Sequence, residues 1–250
     1  MAQNSFNPLS NIPNVTKNII IINVLLWLAT VFMTKLDLID HLGLYYPASE
    51  DFRPWQIITY MFMHGSLAHI FFNMFAVYMF GRVLENIWGQ KRFLTYYLVT
   101  GIGAGLIQLL VAYFRVHSIE AQLSPDLINM VHDEGGAILK EGKNYVDPLL
   151  KQLNLAIHSS TVGASGAVFG ILLAFGMLFP NIDLFIIPLP FPVKAKYVVI
   201  GYGLIELFAG IANFSFDNVA HFAHLGGMLF GIFFVLYWKK KDSDYGRYFY

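Results

Sequence analysis

Residues 220–238 read AHFAHLGGMLFGIFFVLYW. This run has the apolar character and the length of a membrane-spanning helix, which needs about 17–25 residues. It also contains His224, and a polar side chain inside a bilayer is costly unless it has a partner or a function. At about 100° per residue, Gly227 and Gly231 fall on the face of His224, so this face can approach another helix closely. The stretch therefore predicts a span that holds an imidazole against a neighbouring helix.

The whole chain has the composition of a membrane protein. Its 250 residues are 56% hydrophobic and 13% charged, and the mean hydropathy is +0.55. A soluble domain carries about 25% charged residues. The 16 basic residues balance the 16 acidic ones, so the charge does not indicate a nucleic-acid partner. The absence of cysteine excludes disulfides, thiol catalysis and zinc sites built on cysteine.

Hydropathy predicts six membrane-spanning helices in one membrane domain, residues 18–238. The second and fourth are the least apolar, which indicates burial inside a helix bundle. The polar tail before them, residues 1–17, lacks the charged segment and cleavage site of a signal peptide, so we expect the first span to be retained. The predicted spans cover residues 18–34, 64–81, 92–114, 163–179, 197–213 and 220–238.

The distribution of lysine and arginine predicts that both termini are cytoplasmic. Basic residues collect in the short connections on that side and in the tail, residues 239–250. Most basic residues of the other side lie in one long hydrophilic segment, about 115–160, and long loops count little in this rule. We expect that segment to be an outer-face loop insertion between the third and fourth spans.

Ser165 is the candidate nucleophile, within the sequence GASGAVFG. It is expected in the first turn of the fourth span, where free N–H groups and the positive end of the helix dipole can stabilise an oxyanion. Gly163 and Gly166 remove side-chain bulk around the hydroxyl. The alternative is plain helix packing, because Gly166, Gly170 and Ala174 recur every four residues.

Three further polar side chains could complete an acyl-transfer site. His224 is the candidate general base, since a small-residue helix such as the fourth span is a natural neighbour for its glycine face. His69 and Asn73 are four residues apart, so they share one face of the second span and can donate to an oxyanion. His64 begins the same helix. The alternatives are a structural histidine and interhelical polar contacts.

The carboxylates in or near the spans are interpreted as structural. Glu206 lies deep within the fifth span, where pairing inside the bundle is the favoured interpretation and a mechanistic role the alternative. Glu85 is expected to pair with Arg82, and Asp217 to lie in a surface loop. The sequence places no carboxylate against His224, so it predicts a catalytic dyad rather than a triad.

These motifs resemble those of the rhomboid proteases over residues 15–238, apart from the insertion. His69 and Asn73 match the family's HxxxN oxyanion pair, and His64 matches a histidine that precedes it. The resemblance implies an all-α membrane protein, a six-helix rhomboid bundle. The other matching elements are GASG at 163–166 for the nucleophile, AHLGG at 223–227 with Gly231 for the catalytic histidine, and GRVLE at 81–85 for the end of the second helix.

The resemblance also implies an activity, intramembrane serine endopeptidase. A transmembrane protein substrate with a small residue at the cut would enter from the lipid bilayer, past the fifth span and the loop 214–219. Ser165 would attack, His224 would take its proton, and His69, Asn73 and the Ser165 N–H would hold the oxyanion. No cofactor and no metal are implied. Because no organelle transit signal is seen, a multi-pass protein of a bacterial inner membrane is expected.

Two positions differ from the family pattern. The family's Trp-Arg pair in the first outer loop is Trp55-Gln56 here, so the planar fork of arginine is lost. Phe169 lies four residues after the serine, where some members have a tyrosine under the histidine. An aromatic platform therefore remains at this position without its hydroxyl.

Two other functions stay open from the sequence. One is a catalytically silent rhomboid relative that acts as a binding or quality-control protein, which the presence of both Ser165 and His224 disfavours. The other is a metal transporter or membrane metalloprotease that uses histidines such as His64, His69 and His221. It is disfavoured because no HExxH motif is present and no carboxylate is expected near these histidines. His221, one turn before His224, is also a rival base, but it lacks glycines at +3 and +7.

Overall fold

Helices make up almost all of the regular structure, because a helix satisfies its backbone polar groups internally and an apolar chain in a bilayer requires this. The structure is a computed structural model that describes residues 12–186, 190–212 and 220–244. A π-helical segment, Val77–Gly81, joins the helix Leu67–Ala76 to the helix Arg82–Glu120. The helices in chain order are α1 (Asn14–Phe32), α2 (Leu38–Leu42), α3 (Gln56–Thr59), α4 (Leu67–Ala76), α5 (Arg82–Glu120), α6 (Pro125–Lys140), α7 (Pro148–His158), α8 (Ser165–Leu178), α9 (Ala195–Ala212) and α10 (His221–Asp244). Short 3-10 turns cover Thr34–Leu36 and Tyr60–Phe62, and the strands β1 (Asp183–Leu184) and β2 (Val193–Lys194) pair antiparallel.

Four stretches are long and apolar enough to cross a membrane: Asn14–Phe32, Leu67–Glu120, Ala195–Ala212 and His221–Lys241. The shorter helix α8 is also apolar. The chain is thus an integral, multi-pass membrane protein of helical architecture. The predicted count of six spans stays a prediction, as do the cytoplasmic location of both termini and the domain boundaries.

The longest apolar stretch, Leu67–Glu120, changes direction at Gly89. This residue has φ 75° and ψ 166°, a conformation that glycine adopts without steric cost. On either side of it, Gly81 and Phe93 face each other, since a Cβ on the glycine would lie 2.9 Å from the Phe93 ring. The two arms therefore run back along each other, and they contain the predicted spans 64–81 and 92–114.

Helix α8 is enclosed by α5, α9 and α10, and its small residues allow these contacts. Gly170 faces Thr100 of α5, and Gly176 faces Val199 of α9. A Cβ on Gly227 of α10 would overlap the Gly166 carbonyl of α8. The two backbones thus meet directly, as the glycine face of the last span predicts.

The hydrophilic segment 115–160 is helical, and the expectation of a loop is wrong. The end of α5 packs with α6 and α7 around a small apolar core of its own. In α7, Leu150, Leu153 and Ile157 recur at helical spacing, which places all three on the inner face. The charged residues on the outer faces masked this pattern in the sequence. The buried members of the core are Val116, Ile119, Val131, Leu150, Leu153 and Ile157.

The first connecting segment, residues 33–66, is tied both to this helical insertion and to the start of α8. His158 of α7 lies with Nδ1 3.4 Å from Ser49 Oγ, and burial lowers the pKa of this histidine. Leu44 and Thr161 exchange two backbone hydrogen bonds, of 2.9 Å and 2.8 Å. These contacts position the extended segment that leads into Ser165.

Glu85, at the other end of the bundle, does not have its expected partner. Its carboxylate accepts hydrogen bonds from Val15 N (2.9 Å), Thr16 N (2.7 Å) and Thr16 Oγ1 (2.8 Å). The guanidinium of Arg82 lies over the ring of Tyr78 instead, 4.9 Å from its centroid. The sequence-based pairing of Glu85 with Arg82 is therefore wrong.

Candidate active site

Ser165 and His224 meet in the structure. Ser165 is the first residue of α8, and His224 lies in the first turn of α10. The distance from Ser165 Oγ to His224 Nε2 is 2.8 Å, which is a hydrogen bond. The imidazole is buried, with 7% of the residue exposed. The proximity expected from the glycine face of α10 is therefore present.

Phe169 supports the imidazole from one side. Its ring is stacked on His224, with centroids 4.3 Å apart and planes inclined by 8°. Tyr202 of α9 meets the same phenylalanine edge-on, at 6.2 Å and 88°. The aromatic platform predicted at position 169 is present without a hydroxyl, so stacking alone restricts the ring plane.

Glycines set the spacing of the helices around this pair. Gly227 lies against the backbone of Gly166, and Gly231, one turn deeper on α10, faces Tyr96 and Leu173. A side chain at either α10 position would separate this helix from its neighbours. His224 would then no longer lie within hydrogen-bonding distance of Ser165, because α10 would be farther from α8.

His69 lies beside the serine, at the position expected of an oxyanion donor. Gly163 has φ 130°, and a Cβ on it would lie 2.7 Å from His69 Nε2 and 3.5 Å from Ser165 Oγ. Only glycine fits this backbone and leaves that space open. Asn73 Nδ2 donates to His69 O at 2.9 Å, so one of its two N–H groups is engaged within its own helix. His64 is buried and meets the His69 ring edge-on at 4.9 Å.

Glu206 lies on the far side of His224, and the sequence missed this contact. Its Oε2 is 2.9 Å from His224 Nδ1 and 2.6 Å from His221 Nδ1. All three residues are at least partly buried, and 8% of Glu206 is exposed. The expectation that no carboxylate orients His224 is therefore wrong. Asp217 and the loop 214–219 lie outside the described residues.

The same three side chains form the one group that could hold a metal ion in the part of the chain that the structure describes. One ligand atom of each of Glu206, His221 and His224 lies within 4.8 Å of the others. The metal alternative was disfavoured because no carboxylate was expected near the histidines, and the position of Glu206 removes that argument.

Gln56 orders the first connecting segment, although it replaces the arginine of the family pattern. Gln56 is fully buried. Its Oε1 accepts from Arg53 N at 3.0 Å and from Tyr45 N at 3.3 Å. Its Nε2 donates to Asp51 O at 2.9 Å and to His41 O at 3.4 Å. The Gln56 amide therefore holds together separate parts of the backbone of this segment, because it both donates and accepts hydrogen bonds. No guanidinium is needed for this.

Comparison with known proteins gives one consistent result. A sequence model of the Rhomboid domain matches residues 51–121 and 134–241, which is more than half of the chain. Rhomboid-like protease 3 of Toxoplasma gondii is 24% identical over 206 residues, which cover 82% of this chain and 59% of that protein.

Two further relatives come from a plant and a yeast. Rhomboid-like protein 11, chloroplastic, of Arabidopsis thaliana is 27% identical over 238 residues, covering 90% of this chain and 65% of that protein. Rhomboid protein 1, mitochondrial, of Saccharomyces cerevisiae is 27% identical over 186 residues, covering 74% and 42%. The chain thus spans less than two thirds of the length of each of these three relatives.

Proposed function

The chain belongs to the rhomboid family, and we propose that it is an intramembrane serine endopeptidase with Ser165 as nucleophile and His224 as general base. The observation that carries this proposal is the 2.8 Å hydrogen bond from Ser165 Oγ to His224 Nε2. A serine hydroxyl within hydrogen-bonding distance of an imidazole is the arrangement that a nucleophile and its general base require.

The reaction would proceed by acyl transfer. Ser165 Oγ attacks the scissile carbonyl of a locally unwound substrate while His224 Nε2 takes the hydroxyl proton. The same imidazolium then gives that proton to the amine leaving group. Water hydrolyses the acyl-enzyme, with His224 again as base, and the serine is restored. No cofactor takes part in these steps.

The oxyanion would be stabilised by donors from two helices. The Ser165 N–H belongs to the first turn of α8 and has no intrahelical acceptor. His69 Nε2 lies beside the space that Gly163 leaves open. Asn73 keeps a second N–H group after its bond to His69 O, and a side-chain rotation would direct it to the same point.

The proposed topology has six crossings: α1, the two arms that meet at Gly89, α8, α9 and α10. Both termini would be cytoplasmic, because basic residues collect in the short connections of that side. The helical insertion, α6 and α7, would then lie on the outer face. Ser165, His224 and His69 all belong to the outer ends of their helices, so water would reach them from that side.

The proposed substrates are transmembrane proteins that enter from the lipid bilayer and carry a small residue at the cleavage site. The preference for a small residue is carried over from the resemblance to the rhomboid proteases. The bacterial inner membrane expected from the sequence stays a prediction. Two of the three relatives described above have mitochondrial or chloroplastic names, and these do not support it.

Cleavage of a model substrate tests the proposed function. The protein is purified in detergent, reconstituted in liposomes and mixed with a labile transmembrane helix that carries a small residue near its outer end. We expect cleavage by the parent protein, and labelling of Ser165 by a fluorophosphonate. Ser165→Ala and His224→Ala should each abolish both signals while the melting temperature stays close to that of the parent protein. Cleavage by Ser165→Ala at the parent rate would contradict the proposal, and a parent protein that neither cleaves nor labels would indicate a catalytically silent relative.

A further inference from the structure

We propose that Glu206 is a positioning residue, which holds His224 in the one tautomer that can accept the Ser165 proton. The site would then work as a Ser–His–Glu set rather than as a dyad. This inference rests on the proposed protease function and adds a third group to its site.

With Glu206 ionised, the contacts of its carboxylate imply where the protons of the two imidazoles lie. Glu206 Oε2 contacts Nδ1 of both His224 and His221, and a carboxylate oxygen with two such neighbours accepts from both. Nδ1 of His224 therefore carries the proton. Its Nε2 is left with a free lone pair, directed at Ser165 Oγ 2.8 Å away. This is the tautomer that a general base requires.

No other contact found at the imidazole within the described residues can select this tautomer. The stacked ring of Phe169 restricts the plane of the imidazole, but it has no hydrogen-bonding atom at either ring nitrogen. Without Glu206, Nδ1–H and Nε2–H forms of His224 would both be populated, and the second form cannot accept the serine proton. The Glu206 carboxylate thus supplies the hydrogen-bond acceptor at Nδ1 that the Phe169 ring lacks.

The carboxylate would also stabilise the imidazolium that forms when Ser165 loses its proton. That proton moves to Nε2, Nδ1–H stays on His224, and Glu206 remains ionised throughout. The charge pair forms in a buried site, where Coulomb attraction is stronger than in water. Glu206 therefore acts through His224 and does not itself touch the substrate.

The distances favour hydrogen bonds over a bound metal ion at this cluster. A tetrahedral zinc ion about 2.1 Å from each ligand atom would hold those atoms roughly 3.3 Å apart. Here Glu206 Oε2 lies 2.6 Å and 2.9 Å from the two Nδ1 atoms, which are hydrogen-bond distances. His224 would also lose its proton on Nδ1 by ligating a metal through that atom.

The test compares Glu206→Gln with Glu206→Asp in liposomes with the transmembrane substrate. Glutamine keeps the shape but loses the charge and offers an N–H to Nδ1, so we expect kcat to fall about 10²–10⁴-fold with KM changed less than about twofold. Aspartate keeps the charge on a shorter side chain, and its kcat should exceed that of the glutamine variant at least about tenfold. A purely structural role predicts the reverse order, because glutamine preserves the packing. The rate of fluorophosphonate labelling should follow kcat.

Controls separate this inference from the proposed function. Glu85→Gln, at the other buried carboxylate, should leave kcat within about twofold of the parent. If Ser165→Ala is inactive but Glu206→Gln stays within threefold of the parent, Glu206 has no positioning role and the protease function stands. If Ser165→Ala cleaves normally, Ser165 is not the nucleophile and the proposed serine mechanism is wrong.

Two measurements on the parent protein test the positioning role of Glu206 even if the variants do not fold. ¹⁵N NMR of histidine-labelled protein should show His224 protonated on Nδ1, and protonation on Nε2 alone would overturn the inference. Metal analysis should find less than stoichiometric divalent metal in active protein. One divalent ion per chain whose removal by a chelator abolishes cleavage would indicate a metal at this cluster and would also overturn it.

Discussion

Glu85 and Glu206 are the two carboxylates that lie buried in the part of the chain that the structure describes, and their partners differ. Glu85 is 3% exposed and Glu206 is 8% exposed. Each reaches from its own helix to another helix and accepts more than one hydrogen bond there. The donors to Glu85 are two backbone N–H groups and a hydroxyl of α1, whereas those to Glu206 are two imidazoles of α10.

If Glu206 has its proposed role, the chemistry of the partner, rather than burial, separates a structural carboxylate from a functional one. Backbone N–H groups are too weakly acidic to act as general acids or bases at neutral pH, so the role of Glu85 is to cap a helix. Helix α1 has Pro13 before it and no side-chain cap of its own, and the carboxylate fills that role from α5. An imidazole can lose and gain a proton, so the same carboxylate beside His224 can influence a reaction.

Glu85→Ala should give the largest effect on stability. It leaves the N–H groups of Val15 and Thr16 without their acceptor and removes a negative charge from the positive end of the α1 dipole. We expect the free energy of unfolding in mixed micelles to fall by about 3 kcal/mol. The kcat of the protein that remains folded should stay within about twofold of the parent. A fall in kcat as large as that of Glu206→Gln would remove the distinction between the two carboxylates.

Thr16→Val tests the capping role of Glu85 with a smaller change, since it removes only one of the three donors to the carboxylate. It removes the hydroxyl that donates to Glu85 Oε2 at 2.8 Å and keeps the two backbone donors. A hydrogen bond to a charged group contributes about 1.5–3 kcal/mol, so we expect a loss of about 1.5 kcal/mol in the same unfolding measurement. Thr30→Val is the matched control, since its hydroxyl bonds only to Leu26 O of its own helix. Equal losses at both threonines would show that the Thr16 hydroxyl adds nothing to the capping of α1 by Glu85.

The sequence predicted the pair Ser165 and His224 because the pattern of small residues in both helices identifies where they can pack closely. Small residues at fixed spacing mark a face for close packing; His224 lies on such a face of α10, and Ser165 lies beside the small-residue face of α8. The position of Ser165 in the first turn of α8 also depends on a local pattern, whereas the aromatic platform at Phe169 was predicted from the resemblance to the rhomboid family. The hydropathy of the long spans also depends only on local composition.

The partners of Glu206 and Glu85, which depend on the register between two helices, were not predicted. Glu206 and His224 lie on different helices, and neither segment determines how far one slides along the other. One signal was present: His221 and His224 are three residues apart, so both imidazoles share a face, and a carboxylate deep in a neighbouring span is their natural partner. Glu85 was assigned to Arg82 because the two are close in sequence, while its true partners lie about 70 residues away.

The helical insertion was missed for a different reason. Its net hydrophilic character suggested a loop, but the apolar positions Leu150, Leu153 and Ile157 recur at helical spacing. Gln56 could not be interpreted in this way, because an amide side chain takes its role from the backbone atoms around it. Its four hydrogen bonds exist only once the connecting segment is folded.

His221→Ala is expected to have the smallest effect, and it tests the Glu206 side of the comparison. His221 shares the carboxylate oxygen with His224, but the hydrogen bond to Ser165 Oγ comes from His224. Removal of the first imidazole leaves Glu206 bound to the base, so kcat should fall no more than about fivefold, roughly 1 kcal/mol in transition-state stabilisation. His224→Ala, three residues away on the same helix, is the matched variant and should be inactive. If His221→Ala were inactive and His224→Ala still cleaved the substrate, the base would be His221. Glu206 would then position the other of its two imidazoles.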